Sequence, residues 1–337
     1  MSNIDNIKRA VLENRMRNQG VITKDQFDDF KFEPKTIELE LGEKIARGQN
    51  LEVFRPEGLE ELYGRKNLCL KVFKNESFVW GLPIGVGRSP ILESTMVQNL
   101  MAIRGLAPRI YDIVRIGGKT AQVSEFVTGD IGVVPIEDDR FHIDGIDPKQ
   151  AVNFVGGKLV DWQGCIFNDF KGYRQSVYDK AVKRPESKGA GVGAYQSSKT
   201  FPGARDTQER LEKYNFKDMT GKTVLDIGCN YGMISRAVYD LGAKRVVGID
   251  WPEVIEVTRE LAILDGYFNL DFYGIDIKNV TGEQLKAITG IEKFDIHLFL
   301  AMEAWVGWPE WVKNCGTLYY EGHGKNRPFR VEKFNQD

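Results

Sequence analysis

Val224-Leu225-Asp226-Ile227-Gly228-Cys229-Asn230-Tyr231-Gly232 closes an apolar strand-type run and opens a helical one. A glycine turn at such a junction brings backbone close to a ligand, and the helix start offers free N–H groups. A dinucleotide-binding turn would read G-x-G-x-x-G. Here the glycines stand four apart with Asn230 between them, and Asp226 sits two before the first. A carboxylate there repels a pyrophosphate and suits the ammonium of an amino-acid ligand. Downstream the pattern alternates: strand 223–227, helix 232–241, strand 245–249, helix 254–264, strand 270–274, helix 282–288, strand 294–300, helix 309–314, strand 317–320. That order predicts an α/β fold with a doubly wound parallel sheet. Asp250, 22 residues after Gly228, ends the second strand, where a carboxylate accepts both hydroxyls of a ribose. Asp276 follows the third, placed to meet an adenine amino group.

Over about residues 203–321 these positions resemble the class I S-adenosylmethionine-dependent methyltransferases. D-x-G-x-x-x-G with acids after the second and third strands agrees in order and spacing, and Asn230 replaces the commoner middle glycine. The resemblance implies a Rossmann-like domain, S-adenosyl-L-methionine as cofactor, and a methionine moiety lined by Asp226, Gly228, Asn230 and Gly232. It places the ribose at Asp250 and the adenine at Asp276. Another Rossmann-like nucleotide binder, or a cofactor-binding fold without turnover, is the competing reading.

The fourth and fifth strands run into Met302-Glu303-Ala304-Trp305 and Tyr320-Glu321-Gly322-His323. Methyl transfer from a sulfonium needs alignment and, for a hydroxyl acceptor, a base. His323, Glu303 and Glu321 are the candidates, with a solvated helix cap as the plainer reading of Glu303. Trp305, Trp308 and Trp311 either stack on a sugar or nucleobase or pack over the sheet. Tyr195-Gln196-Ser197 and 201–207 resemble the lead segment that lids the cofactor in several such methyltransferases. Beyond Glu321, 16 residues remain, fewer than the usual closing helix and hairpin need, with 327–333 as one candidate edge strand.

The N-terminal part divides into a helical lead-in, 1–40, and an α+β domain, 41–180, before the methyltransferase-like domain, 181–337. A Gly- and Ser-rich stretch, 187–203, follows the change of character. Short apolar runs at 51–54, 68–73, 110–116 and 120–126 read as strands, interrupted by a helix over 90–103. Lys71 on a strand, Glu93 on a helix 22 residues later, a hinge-like Phe126-Val127-Thr128-Gly129 and Asp161 after His142-Ile143-Asp144 resemble a degraded protein kinase. The resemblance implies a nucleotide site in which Lys71 and Glu93 flank ATP phosphates and Asp161 holds Mg. Departures are a glycine loop reduced to Ala46-Arg47-Gly48-Gln49-Asn50 and a catalytic loop without the full H-x-D-x-x-x-x-N pattern.

Across 337 residues, 46 Lys and Arg face 48 Asp and Glu, a net charge of -2, which gives no chain-wide footprint for nucleic acid and disfavours RNA as acceptor. The mixed-charge start and the lack of a long apolar run predict a soluble, cytoplasmic protein without a membrane span. Four scattered cysteines and three histidines predict reduced thiols and no metal site. The expectation is an enzyme that O-methylates a glycan, sugar derivative or other small molecule. Its alternatives are a bifunctional kinase-methyltransferase and a cofactor-binding pseudoenzyme whose N-terminal module docks a partner.

Overall fold

The computed structural model describes residues 34–47, 51–74, 90–131, 136, 138, 140–142, 154–160, 162, 165–167, 169–182, 196–197, 205–217, 219–323 and 328–334. They fall into two compact units that divide between Gln175 and Ser176.

The first unit is built on a sheet in the order β1-β5-β6-β4-β3-β2: β1 (Lys35–Thr36), β2 (Glu43–Arg47), β3 (Leu51–Arg55), β4 (Leu68–Phe73), β5 (Ile110–Ile116) and β6 (Lys119–Glu125). Every ladder is antiparallel except β1 on β5. Residues 34–40 are therefore not part of a helical lead-in: Lys35 and Thr36 pair with Val114 and Arg115, and Ile37 enters the core beside Leu68, Leu70 and Val72. The rest of that lead-in, 1–33, lies outside the described residues. A short helix, α1 (Leu59–Tyr63), is closed at both ends by left-handed glycines, and α2 (Pro90–Ala102) opens on a proline. One face of α2 is polar yet buried. Asn99 imitates a neighbouring strand, donating to Ile110 O at 3.0 Å and accepting from Ile110 N at 2.8 Å, while Gln98 donates to Pro108 O. Two small antiparallel ladders follow, β7 (Phe141–His142) with β10 (Ile166–Phe167) and β8 (Phe154–Val155) with β9 (Lys158–Leu159), before α3 (Phe170–Val182), which spans the division between the units.

The second unit opens with a short parallel pair, β11 (Gln196–Ser197) and β12 (Arg205–Asp206), and with α4 (Thr207–Tyr214), capped by the Asp206 side chain. Its sheet runs β15-β14-β13-β16-β17-β18: β13 (Thr223–Ile227), β14 (Arg245–Asp250), β15 (Leu270–Gly274), β16 (Phe294–Leu300), β17 (Cys315–Glu321) and β18 (Phe329–Lys333). The first five strands in that chain order are parallel, and β18 returns antiparallel on β17. Both faces are covered. Ile234 and Val238 of α5 (Met233–Asp240) and Ile255 and Ala262 of α6 (Pro252–Leu264) pack one core, and Leu285 of α7 (Gly282–Thr289), Trp311 and Val312 pack the other. This is the expected doubly wound sheet, in which the order reverses between β13 and β16. The crevice at such a switch point, outside the carboxyl ends of the strands, is where α/β sheets bind ligands. The helix expected over 309–314 is a 3-10 turn, Glu310–Lys313, and a four-residue helix that the sequence did not announce, α8 (Glu303–Val306), precedes it. Gly307 at φ 68° and Pro309 break the run between them.

Candidate functional site

The turn after β13 borders the switch point and meets the end of β14. Gly228, Asn230 and Gly232 all adopt left-handed backbone, with φ of 75°, 50° and 73°. A Cβ on Gly228 would run into the thioether of Met302, and one on Gly232 would lie 2.8 Å from the Phe272 ring, so neither position accommodates a side chain without rearrangement. Asn230 tolerates its conformation because the surroundings fix it. Its N–H donates to Asp250 Oδ2 at 2.7 Å, its carbonyl accepts from Thr258 Oγ1 at 2.8 Å, and its Oδ1 accepts from Gln196 N.

Two carboxylates are buried here. Asp226, 2% exposed, accepts the Ser235 hydroxyl at 2.6 Å. Asp250, 8% exposed, accepts the backbone N–H of Asn230 on one oxygen and of Trp251 on the other. Burial pushes both up to about 6. At Asp226 the Ser235 hydrogen bond and the Arg210 charge oppose that rise, and at Asp250 its two N–H donors do. Each Asp250 oxygen retains a lone pair for another donor.

Gln196 closes over the same turn, its Oε1 accepting the N–H of Met233 at the first position of α5. Tyr195 and 201–204 of the expected lead segment lie outside the described residues. Asp276 is half-buried two residues beyond β15, and its carboxylate accepts from Lys278 N and Asn279 Nδ2, folding a turn on itself. The structure thus brings Asp226, Gly228, Asn230, Gly232 and Asp250 together, with Asp276 engaged in its own turn.

At the ends of β16 and β17 the three candidate bases differ sharply. Glu321 is 1% exposed and holds Arg210 at 3.0 Å, Lys213 at 3.3 Å and the Tyr214 hydroxyl at 2.8 Å. Proton uptake there would leave Arg210 short of its counter-charge, so the expectation of Glu321 as a base is corrected: its carboxylate ties α4 to β17. Glu303 accepts the Tyr320 hydroxyl on one oxygen and Trp308 Nε1, at 2.9 Å, on the other, and the Tyr320 hydrogen bond first holds its carboxyl below the usual range. It is a fixed acceptor, neither a loose helix cap nor a strong base. His323 is exposed, with its ring edge-on to Trp305. Trp311 is core, its Nε1 donating to Val280 O.

In the first unit Lys71 is buried in β4 and donates to the carbonyl of Val160 at 2.9 Å. Asp161, the next residue, lies outside the described residues, as do 143–150 of the expected catalytic loop. Glu93, buried on α2, accepts the N–H of Phe167 at 3.1 Å. Sequence reasoning missed Ser235, Thr258 and Arg210. Ser235 follows Gly232 by three residues and carries a readable signal, a hydroxyl in the first turn of the helix that starts the site; the other two carry none.

No family model matches the chain. A stretch of 58 residues, 17% of the chain, is 47% identical to the ribosomal protein L11 methyltransferase of Alteromonas mediterranea and covers 20% of it. A stretch of 52 residues, 15% of the chain, is 44% identical to protein arginine N-methyltransferase 1 of Saccharomyces cerevisiae and covers 14% of it. One of 87 residues, 25% of the chain, is 38% identical to a putative protein N5-glutamine methyltransferase of Methanocaldococcus jannaschii and covers 39% of it. All three relatives are methyltransferases. The chain spans about a fifth of the length of the first of them. Among solved structures, the bifunctional kinase-methyltransferase WbdD is 24% identical over 45% of this chain and 36% of that one, with a TM-score of 0.34. The N-terminal domain of EvdMO1 with SAH bound is 12% identical over 45% and 65%, with a TM-score of 0.32.

Proposed function

We propose that the second unit binds S-adenosyl-L-methionine at the β13–β14 crevice and transfers its methyl group to a hydroxyl of a small molecule or glycan. The observation that carries this is the Asp226–Asp250 pair, two buried carboxylates set around a left-handed glycine turn beside the switch point. The donor set fits the cofactor. Asp226 suits an ammonium, Asp250 keeps acceptor capacity on both oxygens for paired hydroxyls, and Gly228 and Gly232 allow close approach. Asp276 is proposed for the adenine from its place beyond β15. The methyltransferase names of the sequence relatives support the same reading. When bound, the cofactor supplies a methyl group already activated on a sulfonium.

The chain's own residues then have two tasks. Glu303, held by Tyr320 and Trp308, orients the acceptor. His323 takes the hydroxyl proton on an imidazole nitrogen as the new carbon–oxygen bond forms. Incubation with S-adenosylmethionine carrying a labelled methyl group and a panel of hydroxyl acceptors tests this: label appears on an acceptor, and label on none, with the cofactor demonstrably bound, overturns the transfer reading in favour of a cofactor-binding pseudoenzyme.

A second reading adds phosphoryl transfer in the first unit. It is favoured by Lys71, a buried cation on a strand whose ammonium reaches the residue just before Asp161. ATP and Mg belong to that reading alone.

A further inference from the structure

Among the described residues at the ends of β16 and β17, Trp305 is the most exposed tryptophan. Trp311 is core, and Trp308 stacks on Tyr320 at 5.0 Å with the charges of Lys313 and Arg330 over its ring. Trp305 is 60% exposed, and among the described residues the ring it meets is that of His323, edge-on with centroids 6.3 Å apart. A broad indole face left in water next to polar groups marks a surface that something else covers.

The polar groups beside it are specific. Glu303 lies two residues before Trp305 in the same short helix, and each of its oxygens is held by one donor, Trp308 Nε1 or Tyr320 OH, with a lone pair to spare. Glu303 directly follows Met302, whose thioether packs against Gly228 of the cofactor turn. The exposed ring, the pinned carboxylate and the imidazole therefore stand at the edge of the crevice where a methyl group would be delivered. Among the described residues Lys313 and Arg330 lie over Trp308, and Arg330 also pairs with Glu332.

We infer that Trp305, Glu303 and His323 form the acceptor subsite and that it takes a hexopyranose ring. A pyranose has one face of C–H bonds to lie on an indole and adjacent hydroxyls to donate in a pair to a carboxylate, and the three side chains supply those complements together. Trp305 stacks beneath the sugar, Glu303 accepts two neighbouring hydroxyls, and the hydroxyl to be methylated points to His323. The assignment rests on the proposed methyl transfer.

The test is saturation-transfer NMR on the full chain with S-adenosylhomocysteine present. The probes are methyl glucosides, mannosides and galactosides, cellobiose, and uridine as the nucleoside control; the affinity of the chain for S-adenosylhomocysteine is measured in parallel. The expected result is transfer to ring C–H protons of at least one hexoside, reduced about 5-fold or more in Trp305→Ala and in Glu303→Gln, with cofactor affinity unchanged. Transfer to no hexoside overturns the subsite, as does hexoside transfer that Trp305→Ala leaves intact. Uridine as the one probe whose transfer depends on Trp305 replaces the sugar by a nucleobase. Hexoside transfer in a wild-type chain that fails to bind S-adenosylhomocysteine leaves the sugar site standing and overturns the cofactor reading instead.

Discussion

Asp226 and Asp250 are buried without the full compensation that a structural carboxylate would have, and their raised ionisation makes that measurable. A carboxyl whose folded value, about 6, exceeds its unfolded value of 3.8 binds protons more tightly in the native state. The stability it contributes is present below the unfolded value and is lost as pH rises to the folded one, by up to about 3 kcal/mol per group. His297 acts in the opposite sense. Buried and pushed down to about 4, with Nδ1 donating to Val312 O, it costs stability as pH falls. The difference between variant and wild type therefore isolates the carboxylate. Asp226→Asn gains stability relative to wild type as pH rises from about 4 to 6 and levels off above that, as urea unfolding at a series of pH values records. His323 gives the second expectation. His323→Ala lowers turnover on an identified acceptor by roughly 10² to 10⁴-fold with cofactor affinity intact, and undiminished turnover in steady-state assays removes it as the base.

Elements, unlike these side chains, were largely written in the local pattern. Strands 223–227, 270–274, 294–300 and 110–116 have the bounds expected from the sequence, because each is a short, mostly apolar run with turn residues beyond its ends. β2 was not legible: Glu43-Lys44-Ile45-Ala46-Arg47 is a charged edge strand whose pairing with β3 holds it in place. Nor was the fate of Glu321 legible, since Arg210, Lys213 and Tyr214 lie on one face of α4 more than a hundred residues earlier. That cluster makes a prediction: Glu321→Ala removes the buried carboxylate that Arg210, Lys213 and Tyr214 share and destabilises the chain by about 3–5 kcal/mol in denaturant unfolding, whereas a catalytic carboxylate would be lost with little change in stability. For β4, if the first unit holds a nucleotide, millimolar ATP with magnesium raises the melting temperature of the wild type and not of Lys71→Ala. No rise in the wild type leaves a kinase-like sheet without nucleotide chemistry.

The molecule as a whole joins an antiparallel α+β unit to a doubly wound α/β unit, each with its own apolar core. Near-balanced charge gives neither unit a sequence-wide attraction for polyanions, and no helix among the described residues is long and apolar enough to cross a membrane. The partners of Glu303 were not legible, because the aromatic side chains around it meet only when β16 and β17 lie side by side. Everything proposed for the second unit depends on the crevice between β13 and β14. Calorimetric titration of S-adenosylmethionine into the wild type and Asp250→Ala tests it most directly: the wild type binds, and the variant binds about 10- to 150-fold more weakly, a loss of about 1.5–3 kcal/mol from deleting a charged acceptor. Equal affinity in the two proteins, or no heat of binding to the wild type, contradicts it.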